Sequence, residues 1–418
     1  MRPVTPRGFR DVLPAEAAER EVLTLRLSDA FAAWGYERIE TPVVERLDAL
    51  EAAAGPLEGT AFRLVDLDGH LLALRPDLTV PIARLVSSRL ADVAGPVRFR
   101  YAGEAFREHE SLRGQARQFT QVGVELVGAC GPEADAEVIA VLADALRTVG
   151  FERFTVAVGS VEVFNAVVAA AGMPESWGAD VLAAAHERNF VELQRLADLP
   201  GVAETAARAL REVPRIRGGR EAIARCSDVA SACGCDATLG ALDETFALLE
   251  AAGVHESVMV DFSVMRSFDY YTGIVIEAYA PGLGLPIGGG GRYDGVLEAF
   301  GAPRPAAGFA LGLERLSIGL LEQGVDVPVR RLDAVLGGPA AEALSAAARL
   351  REAGWRVAIS SRAGRELVAE ADERGAIEAL FARDGRVVRL DRSGEPALPL
   401  EDPAPYPPST SWAEGSER

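Results

Sequence analysis

The chain contains no lysine. Its positive charge rests on arginine alone, 43 residues facing 62 Asp and Glu for a formal net charge of −19. A protein built to hold a polyanion usually shows a basic face, because neutralising phosphates supplies most of the non-specific binding energy. Here the overall field opposes such a partner. The missing lysine also removes a Walker-type phosphate loop, and the order of strand, glycines, helix and acid that marks a dinucleotide fold is absent. Cysteine is scarce: Cys130, Cys226, Cys233 and Cys235 form no CxxC pair and no Cys/His metal spacing. "CGC" at 233–235 is too tight for zinc by itself, so free thiols and no metal are expected. Of four histidines, His70 falls in a turn, His109 in a polar loop, and His186 and His255 in helix-rich stretches. General-base catalysis by histidine has little to work with. Long apolar runs are lacking too, as is the charged, apolar and small-residue order of a signal peptide. A cytoplasmic location and no membrane partner are the resulting expectations.

What remains is an ordinary globular composition, 49% hydrophobic and 25% charged over 418 residues, enough for two or three domains. "LPAEAAERE" opens a long helix with Pro14 in its first turn and an apolar stripe through Leu23, Leu27 and Phe31. Gly35 ends it, and "YERIETPVVE" reads as a strand. "FRLVDLDGHLLALRP" spells a hairpin turning at Asp68-Gly69, and "DLTVPIARLVSSRLA" a helix capped by Asp77 or Thr79. In "QFTQVGVELVG" the alternation puts Gln121, Gly123 and Glu125 on one face and Val122, Val124 and Leu126 on the other. From "GPEADAEV" to about residue 256 the chain reads as alanine-rich helix, with a helical insertion at about 170–256. Strand patterns then resume with "ESVMVDFSV" and "TGIVIEAYA". Helical runs bracketed by strands imply an α+β core of mainly antiparallel sheet over residues 1–325. Alternating strands and helices at 330–395 imply a small α/β domain, and the Pro-, Ser- and acid-rich residues 396–418 a disordered tail.

Four distant segments carry polar groups inside apolar patterns: "LRPDLT" at 74–79, "FREHE" with "QFTQVGVE" at 106–125, "MRSFDYYTG" at 265–273, and "GGGGRYDG" followed by "GFALGLER" from 288. Each has a plain structural reading. Asp77 serves as a helix cap, Arg107 as a surface charge, Tyr270 and Tyr271 as packing residues, and the glycines at 288–291 as a loop. Together they suit a small zwitterion. Asp77 and Glu125 would meet an ammonium or an imidazole nitrogen, and Arg107 and Arg266 a carboxylate or phosphate. Gln121 and the tyrosine hydroxyls would add neutral, oriented contacts. Such charges are tolerated in a buried site only when something pairs them.

Seven collinear segments resemble the catalytic core of class II aminoacyl-tRNA synthetases over roughly residues 5–325. They are "GFRDVLP", "YERIETPVVE", "LRPDLTVPIAR", "FREHESLRGQARQFTQVGVE", "RSFDYYTG", "GGGGRYDGVLEAFG" and "GFALGLERL". Within that superfamily they resemble histidyl-tRNA synthetase and its paralogue, the regulatory subunit of the short-form ATP phosphoribosyltransferase. The resemblance implies a class II synthetase-like fold and a histidine pocket lined by Asp77, Leu78, Thr79, Arg107, Gln121, Glu125, Arg266, Tyr270 and Tyr271. It also puts Arg107 and Arg315 where the synthetase turns arginines on ATP phosphates, and Arg266 where it keeps an arginine for activation.

Three departures set the chain apart from the synthetase. Its second-motif loop reads "FREHESLRGQARQFTQ" where the synthetase pattern resembles "FRRERPQKGRYREFHQ", so the elements that engage ATP and the acceptor end are altered. "PRGFRDVLPAEAAE" and "FTQVGVELVG" look more like the regulatory subunit. The region resembling a reduced anticodon-binding domain, counted over 331–418, holds 12 Arg against 15 Asp and Glu, a poor footing for an RNA stem. The resemblance therefore implies a catalytically idle, histidine-binding allosteric subunit without a cofactor. Its partners would be the short catalytic subunit, in a hetero-octamer, and a second copy of itself, with tRNA not expected. A true histidyl-tRNA synthetase and a histidine sensor with another partner stay open as alternatives. The glycines at 288–291 are a candidate mobile element reporting occupancy.

Overall fold

Helix Pro14–Ala33 begins on a proline whose missing N–H lies in the first turn, where no intrahelical acceptor waits for it, and buries Leu23, Leu27 and Phe31 along one face. This helix and the elements below come from a computed structural model that describes residues 4–57, 59–108, 116–235, 239–264 and 271–400. Two units emerge, dividing between Val327 and Pro328.

The first unit is built on a nine-stranded sheet. In spatial order its strands are Glu37–Arg38, Val97–Phe106, Gln118–Val127, Ala306–Gly312, Gly288–Arg292, Ile274–Tyr279, Thr155–Ser160, Val258–Asp261 and Arg217–Gly218. All neighbours are antiparallel except the Glu37–Arg38 edge and the Thr155–Ser160/Val258–Asp261 pair. One face carries Val122, Val124, Leu126, Val158, Ile276 and Phe309 in a core shared with helices Pro14–Ala33 and Pro132–Val149. The opposite face carries Glu125 and Gly123. A strand's period of two makes that division, as the alternation in "QVGVEL" implies. The α+β core of mainly antiparallel sheet is thus present.

Several local expectations need correction. "YERIETPVVE" is two strands, not one: Glu37–Arg38 joins the large sheet, while Val44–Arg46 pairs with Leu71–Leu74 in a three-stranded sheet. Pro42, which has no N–H to give to a ladder, stands between them. The hairpin Arg63–Val65/Leu71–Leu74 does turn where "DG" signals it, with Gly69 at φ +80°. Strand Thr155–Ser160 lies inside a stretch read as helix, because a short apolar run such as "TVAV" has no period that separates the two. The stretch expected as a helical insertion contains helices Glu175–His186, Phe190–Ala197, Glu204–Glu212, Glu221–Ser231 and Gly240–Ala251, and also sends out the edge strand Arg217–Gly218.

The largest correction concerns the glycine run. Residues 288–291 are not a loop; they belong to a buried strand paired on both sides. A Cβ on Gly290 would lie 1.9 Å from the Gly308 carbonyl oxygen, and one on Gly288 2.2 Å from that of Ala310. Glycine is there for close backbone approach.

The second unit orders its sheet as Val357–Ile359, Ala334–Gly337, Glu378–Arg383, Arg386–Leu390 and Pro396–Pro399, with helices Ala340–Glu352 and Gly364–Glu373. Asp384 and Gly385, at φ +53° and +73°, make its tight hairpin. Residues 396–399, expected to open a disordered tail, are instead an edge strand on Arg386–Leu390, and Leu400 packs against the small core. Proline is tolerated there because an edge strand needs to donate on one side only. Residues 401–418 lie outside the described residues. Among the described residues, no helix is long and apolar enough to cross a membrane.

Candidate functional site

The hairpin Val97–Phe106/Gln118–Val127 sets Tyr101 across from Gly123 and Phe99 across from Glu125. On the other side, Glu125 faces Gly308 of strand Ala306–Gly312. A Cβ on Gly308 would come within 1.9 Å of Glu125 Oε2, so the glycine makes the room this carboxylate occupies. Glu125 is only 1% exposed. Its Oε1 accepts hydrogen bonds from Thr79 Oγ1 at 2.8 Å and from the Tyr101 hydroxyl at 3.3 Å, and its Oε2 accepts one from the Tyr293 hydroxyl. Burial pushes the Glu125 carboxyl up to about 8; the hydrogen bonds from Tyr293 and Thr79 oppose that rise and the neighbouring Asp77 adds to it.

Asp77 sits just before helix Thr79–Arg89 and accepts the Val80 N–H at 3.2 Å. The N-cap position itself falls on Leu78, so Asp77 serves the helix start from one residue earlier, and it has a place in the cleft as well. Burial raises the Asp77 carboxyl and the charge of Arg107 pulls it down. Arg107 leaves the end of the hairpin, donates from Nε to the Pro76 carbonyl at 2.9 Å, and lays its guanidinium 5.2 Å from the centre of the Phe119 ring. Gln121 is 8% exposed, and its Oε1 has no hydrogen-bond partner among the described residues.

These side chains converge on one cleft. Asp77, Thr79, Arg107, Gln121, Tyr271 and Tyr293 line it, over a floor of Gly289, Gly290, Gly308, Phe309 and Ala310. Four of these five floor residues are glycine or alanine, so main chain more than side chain bounds the cleft between its polar walls. Behind it, Arg292 donates from Nε to Asp135 at 2.9 Å and from Nη1 to Asp294 at 3.1 Å, while its carbonyl accepts the Thr272 N–H at 2.8 Å. That pairing anchors the segment that presents Tyr271. Burial raises the Asp135 carboxyl, and the Arg292 charge works against the rise.

The structure brings Asp77, Thr79, Arg107, Gln121 and Tyr271 to the cleft wall. Glu125 lies beneath, joined to the wall through Thr79 and Tyr293. Leu78 is a correction: it is not among the residues that line the cleft and is buried in an apolar cluster with Val80, Ile82 and Tyr101. Arg315 does not line the cleft either; it is exposed on helix Leu313–Glu322 and donates to the Pro286 carbonyl at 2.8 Å. Arg266 and Tyr270 fall outside the described residues. Sequence reasoning passed over Tyr293 and Tyr101. Tyr293 stood in plain view within "GGGGRYDG", but no local spacing shows that its hydroxyl meets a carboxylate 168 residues away.

A family model described as histidyl-tRNA synthetase matches residues 8–316. A protein of Moorella thermoacetica named ATP phosphoribosyltransferase regulatory subunit is 39% identical over 376 residues, 88% of this chain and 96% of that protein. One of the same name from Symbiobacterium thermophilum is 39% identical over 388 residues, covering 91% and 96%. Among solved structures, a Bacillus halodurans protein described as an ATP phosphoribosyltransferase regulatory subunit/histidyl-tRNA synthetase gives a TM-score of 0.81 at 28% identity, covering 91% of this chain and 98% of that one. A histidyl-tRNA synthetase from Nostoc shares the fold, with a TM-score of 0.77 at 22% identity over 95% of this chain and 96% of that one.

Proposed function

The chain belongs to the histidyl-tRNA synthetase family, among its ATP phosphoribosyltransferase regulatory subunits, and from that premise we propose that it is the histidine-binding, non-catalytic partner of the short catalytic ATP phosphoribosyltransferase. Gln121 carries the ligand half of this reading. Its buried Oε1 has no partner among the described residues and lines the same cleft as Asp77 and Arg107. A buried acceptor left unpaired costs free energy that an N–H donor on a ligand recovers. Free histidine carries the complementary set. Its ammonium and ring N–H suit Gln121 and Asp77, with Glu125 reached through Thr79 and Tyr293, and its carboxylate suits Arg107.

The regulatory half rests on the names of relatives that match along nearly their whole length. In this reading the chain works in the cytoplasm on the first step of histidine biosynthesis. It dimerises through the first unit, assembles with the catalytic subunit into a hetero-octamer, and transmits feedback inhibition. Feedback needs only that histidine binds one quaternary state better than another, since equal affinity shifts nothing. The second reading, a working histidyl-tRNA synthetase, is favoured by one observation: arginines stand at both positions, Arg107 and Arg315, that face ATP phosphates in the synthetase pattern.

Calorimetry with L-histidine and pyrophosphate exchange with histidine and ATP separate the two. Saturable histidine binding without exchange is expected. Robust exchange would overturn the non-catalytic assignment, and absence of binding would remove histidine as the ligand.

A further inference from the structure

Arg107 enters the cleft from the loop end of the hairpin, next to the Phe106–Gln118 pair, and the start of the chain packs there through Arg117. The Phe9 N–H donates to the Pro6 carbonyl at 3.0 Å and Thr5 Oγ1 to the Phe9 carbonyl at 3.0 Å, folding the amino-terminal arm into a turn with Gly8 at φ +78°. The Gly8 carbonyl accepts the Arg117 N–H at 2.8 Å, and the Arg117 carbonyl accepts the Arg107 N–H at 2.9 Å. One main-chain relay thus runs from the arm to the residue in the cleft.

The side chain of Arg117 tightens this relay. Its guanidinium carbon lies 4.3 Å from the centre of the Phe62 ring and 6.0 Å from that of Phe9. Nη1 donates to the Arg7 carbonyl at 3.3 Å, and Nη2 pairs with Glu108. The Glu108 N–H in turn donates to the Thr60 carbonyl at 3.0 Å, and Phe9 meets Phe62 edge-on at 5.7 Å. Gly8 has no substitute here, since a Cβ would lie 2.5 Å from Arg117 Cγ at a φ that side chains rarely adopt. Docking is also poised. Arg117 Nε is buried without a hydrogen bond among the described residues, a desolvation cost set against the cation–π contacts.

We propose that the amino-terminal arm is a positioning element of the cleft: docked on Arg117, it fixes the main chain of Arg107, and its docking is coupled to ligand binding. The coupling to histidine rests on the ligand reading above; the positioning of Arg107 does not. Linkage requires reciprocity, so whatever factor the docked arm adds to ligand affinity, the bound ligand adds to arm docking.

The test uses the full chain with L-histidine as the probe. In the unliganded protein, Phe9→Ala raises amide exchange at Arg107 about tenfold while Val122 and Val124 stay protected. By calorimetry Phe9→Ala weakens histidine binding about tenfold, Phe9→Leu recovers most of it, and saturating histidine slows tryptic cleavage after Arg7 by a similar factor. Unchanged exchange at Arg107 overturns the positioning whatever the ligand proves to be. Wild-type affinity in Phe9→Ala, or an unchanged cleavage rate with histidine bound, overturns the coupling. A wild-type chain that binds no histidine instead overturns the ligand reading, and the exchange result still decides the positioning.

Discussion

The Tyr293 hydroxyl donates to Oε2 of Glu125, joining residues 168 apart in a buried contact at the base of the cleft. Tyr293 also lines the cleft, so it is the element through which the hidden carboxylate is felt at the surface. Tyr293→Phe keeps the ring and removes the donor. An undersatisfied buried carboxylate costs roughly 1–3 kcal/mol. The expected outcome is an unfolding free energy from urea titration lower by that amount and histidine affinity weakened about tenfold by calorimetry, a loss of about 1.4 kcal/mol in binding.

The pH dependence of stability has a defined sign. Burial holds the Glu125 carboxyl at about 8 in the folded chain against an ordinary 4.5. Between those two values the folded state binds more protons than the unfolded one, so this group's contribution to stability declines as pH rises through that window and is level beyond it. Glu125→Gln removes the titration. Unfolding free energies measured across the window should fall less steeply with pH in the variant than in the wild type. Parallel slopes would mean that Glu125 is ionised throughout.

Gly308 is expected to be intolerant of even one methyl group. A Cβ there would sit 1.9 Å from Glu125 Oε2 and 2.3 Å from the Val124 carbonyl oxygen, both in the packed sheet. Overpacking of this kind costs roughly 1–3 kcal/mol and displaces the carboxylate. Gly308→Ala should lower the melting temperature and abolish histidine binding. Gly295→Ala is the control: nothing lies within 4 Å of its Cβ, in the short helix Gly295–Glu298, and the change should be neutral or slightly stabilising.

The Arg292–Asp135 pair should behave unlike the chain's surface ion pairs. Both side chains are less than a tenth exposed, so Asp135→Ala takes from a buried guanidinium the partner of its Nε and Nη2 and leaves it Asp294 and the Ala129 carbonyl, a loss of roughly 1–3 kcal/mol. Breaking the exposed Arg38–Glu40 pair should change stability by less than about 1 kcal/mol. Denaturant titration of Asp135→Ala and Glu40→Ala measures the contrast. In Asp135→Ala the segment from Tyr271 to Gly273 should also lose amide protection, since Arg292 accepts the Thr272 N–H.

Local chemistry made much of the first unit legible. The Pro14 helix start, the Asp68-Gly69 turn and the alternation of "QVGVEL" each follow from rules acting over a few residues, and each appears as those rules imply. Where a segment's reading depends on a distant neighbour, the same rules mislead. The glycine run resembles a loop until two adjacent strands press against it, and "TVAV" resembles its helical surroundings until a sheet claims it. Leu78, between Asp77 and Thr79 in the chain, joins an apolar cluster that draws members from distant segments.

By itself the sequence determined the fold class, the faces of the central hairpin, the family, and the residue types gathered for a charged ligand. These are encoded in periodicity, turn chemistry and ordered motifs, all readable along one dimension. Tertiary structure decided which groups share the cleft. It buried Glu125 beneath Thr79, Tyr101 and Tyr293, left Gln121 Oε1 without a partner among the described residues, and put Leu78 in an apolar cluster and Arg315 on an exposed helix. The physical reason is that a carboxylate's environment is set by atoms a few ångströms away in space. In a sheet whose paired strands come from residues 97 to 312, those atoms lie far off along the chain.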